Sequence, residues 1–139
     1  MHAQYLWETG SLIVAVLGFI HLYFIFFSDK FSPRNGKLQE EMKVSFPVLT
    51  DEMSMWKGWV SFNATHSSGA IFFGVLNFYL AARYFEILKT DHFFFLFSIV
   101  CVGFYIWLAK KYWFKTIFLY VLMAFSCFVV SYIITLTQK

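Results

Sequence analysis

The sequence predicts an all-α integral membrane protein: a four-helix transmembrane bundle with both termini on the same, non-cytoplasmic side. Three observations support this. The composition is 60% hydrophobic and only 14% charged, against roughly a half and a quarter in soluble domains. Aromatic residues (20 Phe, 8 Tyr and 5 Trp) make up 24% of the 139 residues, more apolar surface than a soluble core of this size can hide. The apolar residues also fall in four runs free of Asp, Glu, Lys and Arg.

The runs are Thr9 to Ser28, 20 residues; Gly58 to Ala82, 25; His92 to Ala109, 18; and Thr116 to Gln138, 23. At about 1.5 Å per residue each crosses or nearly crosses a hydrocarbon core of about 30 Å. The runs are continuously apolar and do not alternate, which favours helices over barrel strands. The length allows a single transmembrane domain over 1–139. The N-terminus, MHAQYLWETG, has no Lys or Arg and carries Glu8, so the first run reads as a retained span and not a signal peptide.

Orientation follows from the basic residues. The connection 29–57 holds Lys30, Arg34, Lys37, Lys43 and Lys57, and the third connection holds Lys110, Lys111 and Lys115, eight on one side. Arg83, Lys89 and Lys139 make three on the other. The richer side is expected in the cytoplasm, and the membrane is expected to be a bacterial inner membrane. The net charge of +3 is too small and scattered for nucleic acid binding.

Each element has a local reason. Tyr5 and Trp7 before the first span read as an interfacial belt, as do Trp56 and Trp59, Tyr84 and Phe85, and Trp107, Tyr112 and Trp113. In the long cytoplasmic loop, Ser32-Pro33 and Asn35-Gly36 are turn signals. Leu38 to Val44 reads as a short amphipathic helix on the membrane surface, broken before Pro47. Thr50, followed by Asp51 and Glu52, reads as an N-cap that starts the second long helix near Asp51. Cys101 and Cys127 sit in apolar runs without metal-ligand spacing and read as small hydrophobes.

The second run carries an unusual load for a lipid-facing helix: Asn63, Thr65, His66, Ser67, Ser68 and Asn77. Hydrocarbon penalises unpaired polar groups, so these side chains are expected to face protein or a wet cavity. Trp59, Asn63, His66, Ala70, Gly74 and Asn77 recur at helical spacing and share a stripe. In the first run Ser11, Ala15, Gly18 and His21 form a second stripe. Ala70-x-x-x-Gly74 is a small-residue pair that lets a neighbouring backbone come close. His21 and His66 lie about 10–12 Å from the same membrane face in antiparallel helices.

These residues admit several chemistries. They can hydrogen-bond across the interface and simply hold two helices together. They can anchor a small lipophilic ligand or lipid, with His21, His66, Asn63, Ser67, Asn77 and Trp59 as the candidate contacts. An imidazole could also serve a proton path. No cofactor is called for; the one left open is a heme b with His21 and His66 on opposite sides of the iron. Zinc is disfavoured, because no Cys, Asp or Glu lies at that depth to complete its shell. A serine hydrolase is disfavoured too, since His66, Ser67 and Ser68 diverge around the helix and lack a buried carboxylate.

The pattern Gly18-x-x-His21-Leu22, Trp56-x-Gly58-Trp59, Phe62-Asn63-x-x-His66-x-x-Gly69 and Phe73-Gly74 resembles a family of small bacterial membrane proteins. Those proteins have four predicted spans, a histidine in the first and an S/T-H-x-x-G motif in the second. The resemblance covers roughly the first 80 residues and implies the site without an activity. DoxX-like and sterol-isomerase-like proteins share only the span count. The leading expectation is a lipid- or ligand-binding membrane protein, without enzymatic activity. The alternatives are an accessory or assembly subunit of a larger membrane complex, and a membrane enzyme or heme-binding electron carrier; the expected partners are membrane lipids, a larger membrane complex or further copies of the chain.

Overall fold

The computed structural model describes residues 2–137. Among these the chain forms five helices and no strand: α1 (His2–Phe27), α2 (Gly36–Val44), α3 (Met55–Leu88), α4 (His92–Tyr112) and α5 (Lys115–Thr137). Four of them, all but α2, are long and apolar enough to cross a membrane. The expected end of the fourth span, Gln138, lies outside the described residues.

The helices outrun the uncharged segments, because a charge ends a hydrocarbon span without ending a helix. Residues 2–8 add two turns to α1, and there Gln4 Nε2 donates to Glu8 Oε1 at 3.0 Å. The long helix after the loop, α3, starts at Met55 and not near Asp51. The Thr50 hydroxyl does accept a backbone N–H, from Glu52 at 3.1 Å, but within a local turn. Ser54 caps the helix instead, its Oγ accepting from Lys57 N at 3.4 Å. The expected amphipathic piece is present as α2, with Asn35 as its N-cap accepting from Lys37 N at 3.1 Å. Asp91 does the same for α4, accepting from Phe94 N at 3.1 Å. Inside α3 the helical dihedrals break at Tyr84, with φ −131° and ψ 22°, just past the end of the uncharged run.

The chain divides into two compact units, one drawn from the chain up to Val16 and from Ile71 onward, the other from Leu17–Ala70. In the first, parts of α1 and α3 pack with α4 and α5 around Trp7, which is fully buried. Its ring meets Phe95 at 4.6 Å and Phe128 at 4.4 Å, both edge-on, the preferred geometry for aromatic quadrupoles. Trp7 is therefore core and not interfacial belt, and Phe85, at 4% exposure, joins it there. Trp107, Tyr112 and Trp113 are exposed.

Small residues set the helix spacing in this unit. A Cβ placed on Gly74 would lie 2.5 Å from Ala15 N and 2.7 Å from Ser11 O, so the α1 backbone occupies the space a side chain would need. Gly10 approaches α5 in the same manner, its notional Cβ 3.0 Å from Ala124 O. Close approach of this kind drives helix association where no water is present to supply a hydrophobic force.

Candidate functional site

Polar side chains within a hydrocarbon-spanning helix must find partners locally. Hydroxyls do so by bonding the carbonyl one turn back: Ser67 to Asn63 O at 2.8 Å, Ser68 to Ala64 O at 2.9 Å and Thr65 to Ser61 O at 2.8 Å. That self-bonding lets Thr65 and Ser68 stay exposed, contrary to the expectation that all the polar residues of this segment face inward. Asn63, Ser67 and Asn77 are buried, and His66 is half-buried.

In the unit formed by Leu17–Ala70, the C-terminal part of α1 and the N-terminal part of α3 bring His21, Asn63 and His66 together. His21 Nε2 lies 3.2 Å from Asn63 Oδ1. The orientation of that amide is set by its other end, whose Nδ2 donates to Trp59 O at 2.8 Å. Oδ1 therefore faces the imidazole as an acceptor, and Nε2 must carry the proton that His21 donates. The His21 and His66 rings meet edge to face, with centroids 5.8 Å apart.

A side chain outside the two long helices completes the group. Phe31, in the loop after α1, packs on His21 with ring centroids 4.4 Å apart. Its carbonyl oxygen accepts from the Trp59 indole Nε1–H at 3.2 Å. Trp59 thus pins the loop that covers His21, through a bond spanning 28 residues of sequence. Nothing local in the sequence marks Phe31 for this role; it sits inside the turn closed by Ser32 N onto Asp29 O at 3.0 Å, just before the expected turn signal at Ser32-Pro33.

Asn77 has a different set of partners. Its Oδ1 accepts from the Trp7 indole at 3.2 Å and from Ser98 Oγ at 3.1 Å, while its Nδ2 donates to Phe73 O at 3.0 Å. Nearby, Ser131 Oγ donates to Ala3 O at 2.6 Å, and Gln4 Nε2 donates to Ala81 O at 3.2 Å. These hydrogen bonds tie four helices together. Sequence reasoning placed the polar residues in the first two spans, and so passed over Ser98 and Ser131, single hydroxyls in otherwise apolar runs.

Chemically, the group sets two imidazoles and an amide side by side, with the Phe31 ring packed on His21. An iron at His21 Nε2 would have to displace the Asn63 amide. Among the described residues no group of three or more His, Cys, Asp or Glu is placed to hold a metal ion.

Comparison with protein families, curated proteins and solved structures finds no match. The functional argument therefore rests on these side chains.

Proposed function

We propose that this is an integral membrane protein that binds a small lipophilic molecule or a lipid, with the polar head of that ligand held at His21, Asn63 and His66. The observation that carries the reading is the direct contact of two imidazoles, 5.8 Å between ring centroids, beside an oriented amide. Interhelical hydrogen bonds in membranes average only about 0.6 kcal/mol, so two histidines and an asparagine are a weak device for holding helices. Ionisable groups at such a depth mark binding and transport sites more often than they mark packing. Phe31 packs on His21 and is held by Trp59, and Ser67 lies one turn from Asn63 with its hydroxyl satisfied by its own helix. Asn77, bonded to Trp7 and Ser98, serves packing in this reading. The basic connections 29–57 and 110–115 support a topology with both termini outside the cytoplasm, and a bacterial inner membrane fits that topology.

Native mass spectrometry with lipids retained tests the proposal. One bound adduct on the wild-type protein, absent from His66→Ala and weakened in His21→Ala, is the expected result. Stoichiometric co-purification of other chains, with no adduct that depends on either histidine, would replace it with the accessory-subunit reading.

A further inference from the structure

The loop that joins α2 to α3 exposes apolar side chains to an unusual degree. Val48 and Leu49 are 109% and 91% exposed, Phe46 is 56% exposed, and Val44, the last residue of α2, is 73% exposed. No residue of α2 is buried. Such a cluster, contiguous in sequence and outside any span, is costly to leave in water.

Its position narrows what covers it. Met55 N, the first residue of α3, donates to Ser45 O at 2.9 Å. That bond holds the start of the cluster against the end of a helix long and apolar enough to cross a bilayer. The apolar exterior of α3 begins at the same point, with Met55 42% exposed and Phe62 73% exposed. Thr50 N closes a turn onto Pro47 O at 3.3 Å, which puts the exposed Val48 and Leu49 at the tip of the loop. Exposed Lys57 follows it, able to reach lipid phosphates while the tip enters the acyl region, whereas Lys43 Nζ on the other flank is paired with Glu40 Oε1 at 2.8 Å.

We infer that the Val44–Leu49 tip inserts into the headgroup–acyl boundary of the membrane leaflet at the start of α3, as an interfacial anchor beside the transmembrane helix. The occupant is the lipid surface and not a second protein, because the tip continues the lipid-facing exterior of α3 at a fixed bond. Insertion of this kind reaches about 5–10 Å below the headgroup plane. The inference rests on α3 spanning a bilayer, and it does not depend on any ligand at His21.

The test uses the full chain in proteoliposomes, with Cys101→Ala and Cys127→Ala as background and single cysteines labelled with a polarity-sensitive fluorophore. Val48→Cys and Leu49→Cys are both fully exposed sites, so neither disturbs packing, and each checks the other. Phe62→Cys reports the lipid exterior of α3, and Lys37→Cys reports the exposed start of α2. Emission at positions 48 and 49 is expected to be blue-shifted and quenched by lipids brominated near the headgroup, several-fold more than at position 37. At position 62, lipids brominated deeper in the chain should quench best. Water-like emission at 48 and 49 with lipid quenching intact at 62 would overturn the inference. So would a blue shift at 48 and 49 that no brominated lipid quenches, since protein would then cover the tip. Loss of lipid quenching at 62 would overturn the spanning of α3, and the inference with it.

Discussion

Replacing Gly74 by alanine isolates one close contact on which the packing of α1 and α3 depends. The added Cβ would sit 2.5 Å from Ala15 N, 2.7 Å from Ser11 O and 2.8 Å from Ala15 Cβ. Ordinary van der Waals contact begins near 3.4 Å, so the shortfall is 0.9 Å at the closest atom. Two of the three atoms belong to backbone, so no rotamer change relieves the clash and the helices themselves must separate. Overpacking costs about 1–3 kcal/mol, and a clash against backbone belongs at the upper end. The helix-propensity gain of about 0.5–1 kcal/mol on replacing glycine offsets part of this. The expected net loss is about 2 kcal/mol, roughly thirtyfold in the folding equilibrium. Reversible unfolding by SDS in mixed micelles, followed by the fluorescence of tryptophans that include the buried Trp7, measures it. Gly69→Ala is the control, because nothing lies within 4 Å of its notional Cβ; it should leave the midpoint unchanged or raise it. Gly10→Ala, with its closest contact at 3.0 Å, should fall between the two. Equal midpoints for Gly74→Ala and Gly69→Ala would refute the close approach.

Three further outcomes follow from the hydrogen bonds. In nitrogen-15 NMR of the protein in micelles, His21 should carry a proton on Nε2, and Asn63→Leu should lose that preference; an Nε2 without a proton in the wild type contradicts the assigned amide orientation. A double-mutant cycle between Trp7→Phe and Asn77→Leu should give a coupling of about 0.6 kcal/mol, up to about 1.7, in the same SDS titration; additive effects would mean the bond contributes nothing. Asn35→Ala should cost about 1 kcal/mol locally and speed amide exchange in α2 alone, because Asn35 caps that helix and α2 buries nothing; unchanged exchange there would argue against the cap.

The contrast between His21 and Trp7 shows how far the residues could be read in order. The polar stripe of the second span and the smaller stripe of the first follow from helical period, a local property, so the meeting of His21 with Asn63 and His66 was legible. The small-residue contact at Gly74 was legible for the same reason. Trp7 looked interfacial because tryptophan at the edge of an apolar run usually is. Its burial depends on Phe95 and Phe128, far along the chain, which converge on it only when four helices pack. Phe31 was invisible because its role comes from a loop backbone bonded to Trp59, not from its own side-chain pattern.

By itself, the sequence determined what is short-ranged: four runs apolar enough to span, the turn signals before α2 and that short helix, and the helical spacing that puts Asn63 and His66 on one stripe. The partners were decided by tertiary structure alone. It gave Asn77 to Trp7 and Ser98, seated Phe31 on His21, and let Thr65 and Ser68 face outward on bonds to their own helix. The physical reason is that hydropathy and helical period act over one or two turns. A hydrogen bond or ring contact between distant residues exists only after helices have chosen their neighbours, and that choice turns on backbone approach at residues as small as Gly74.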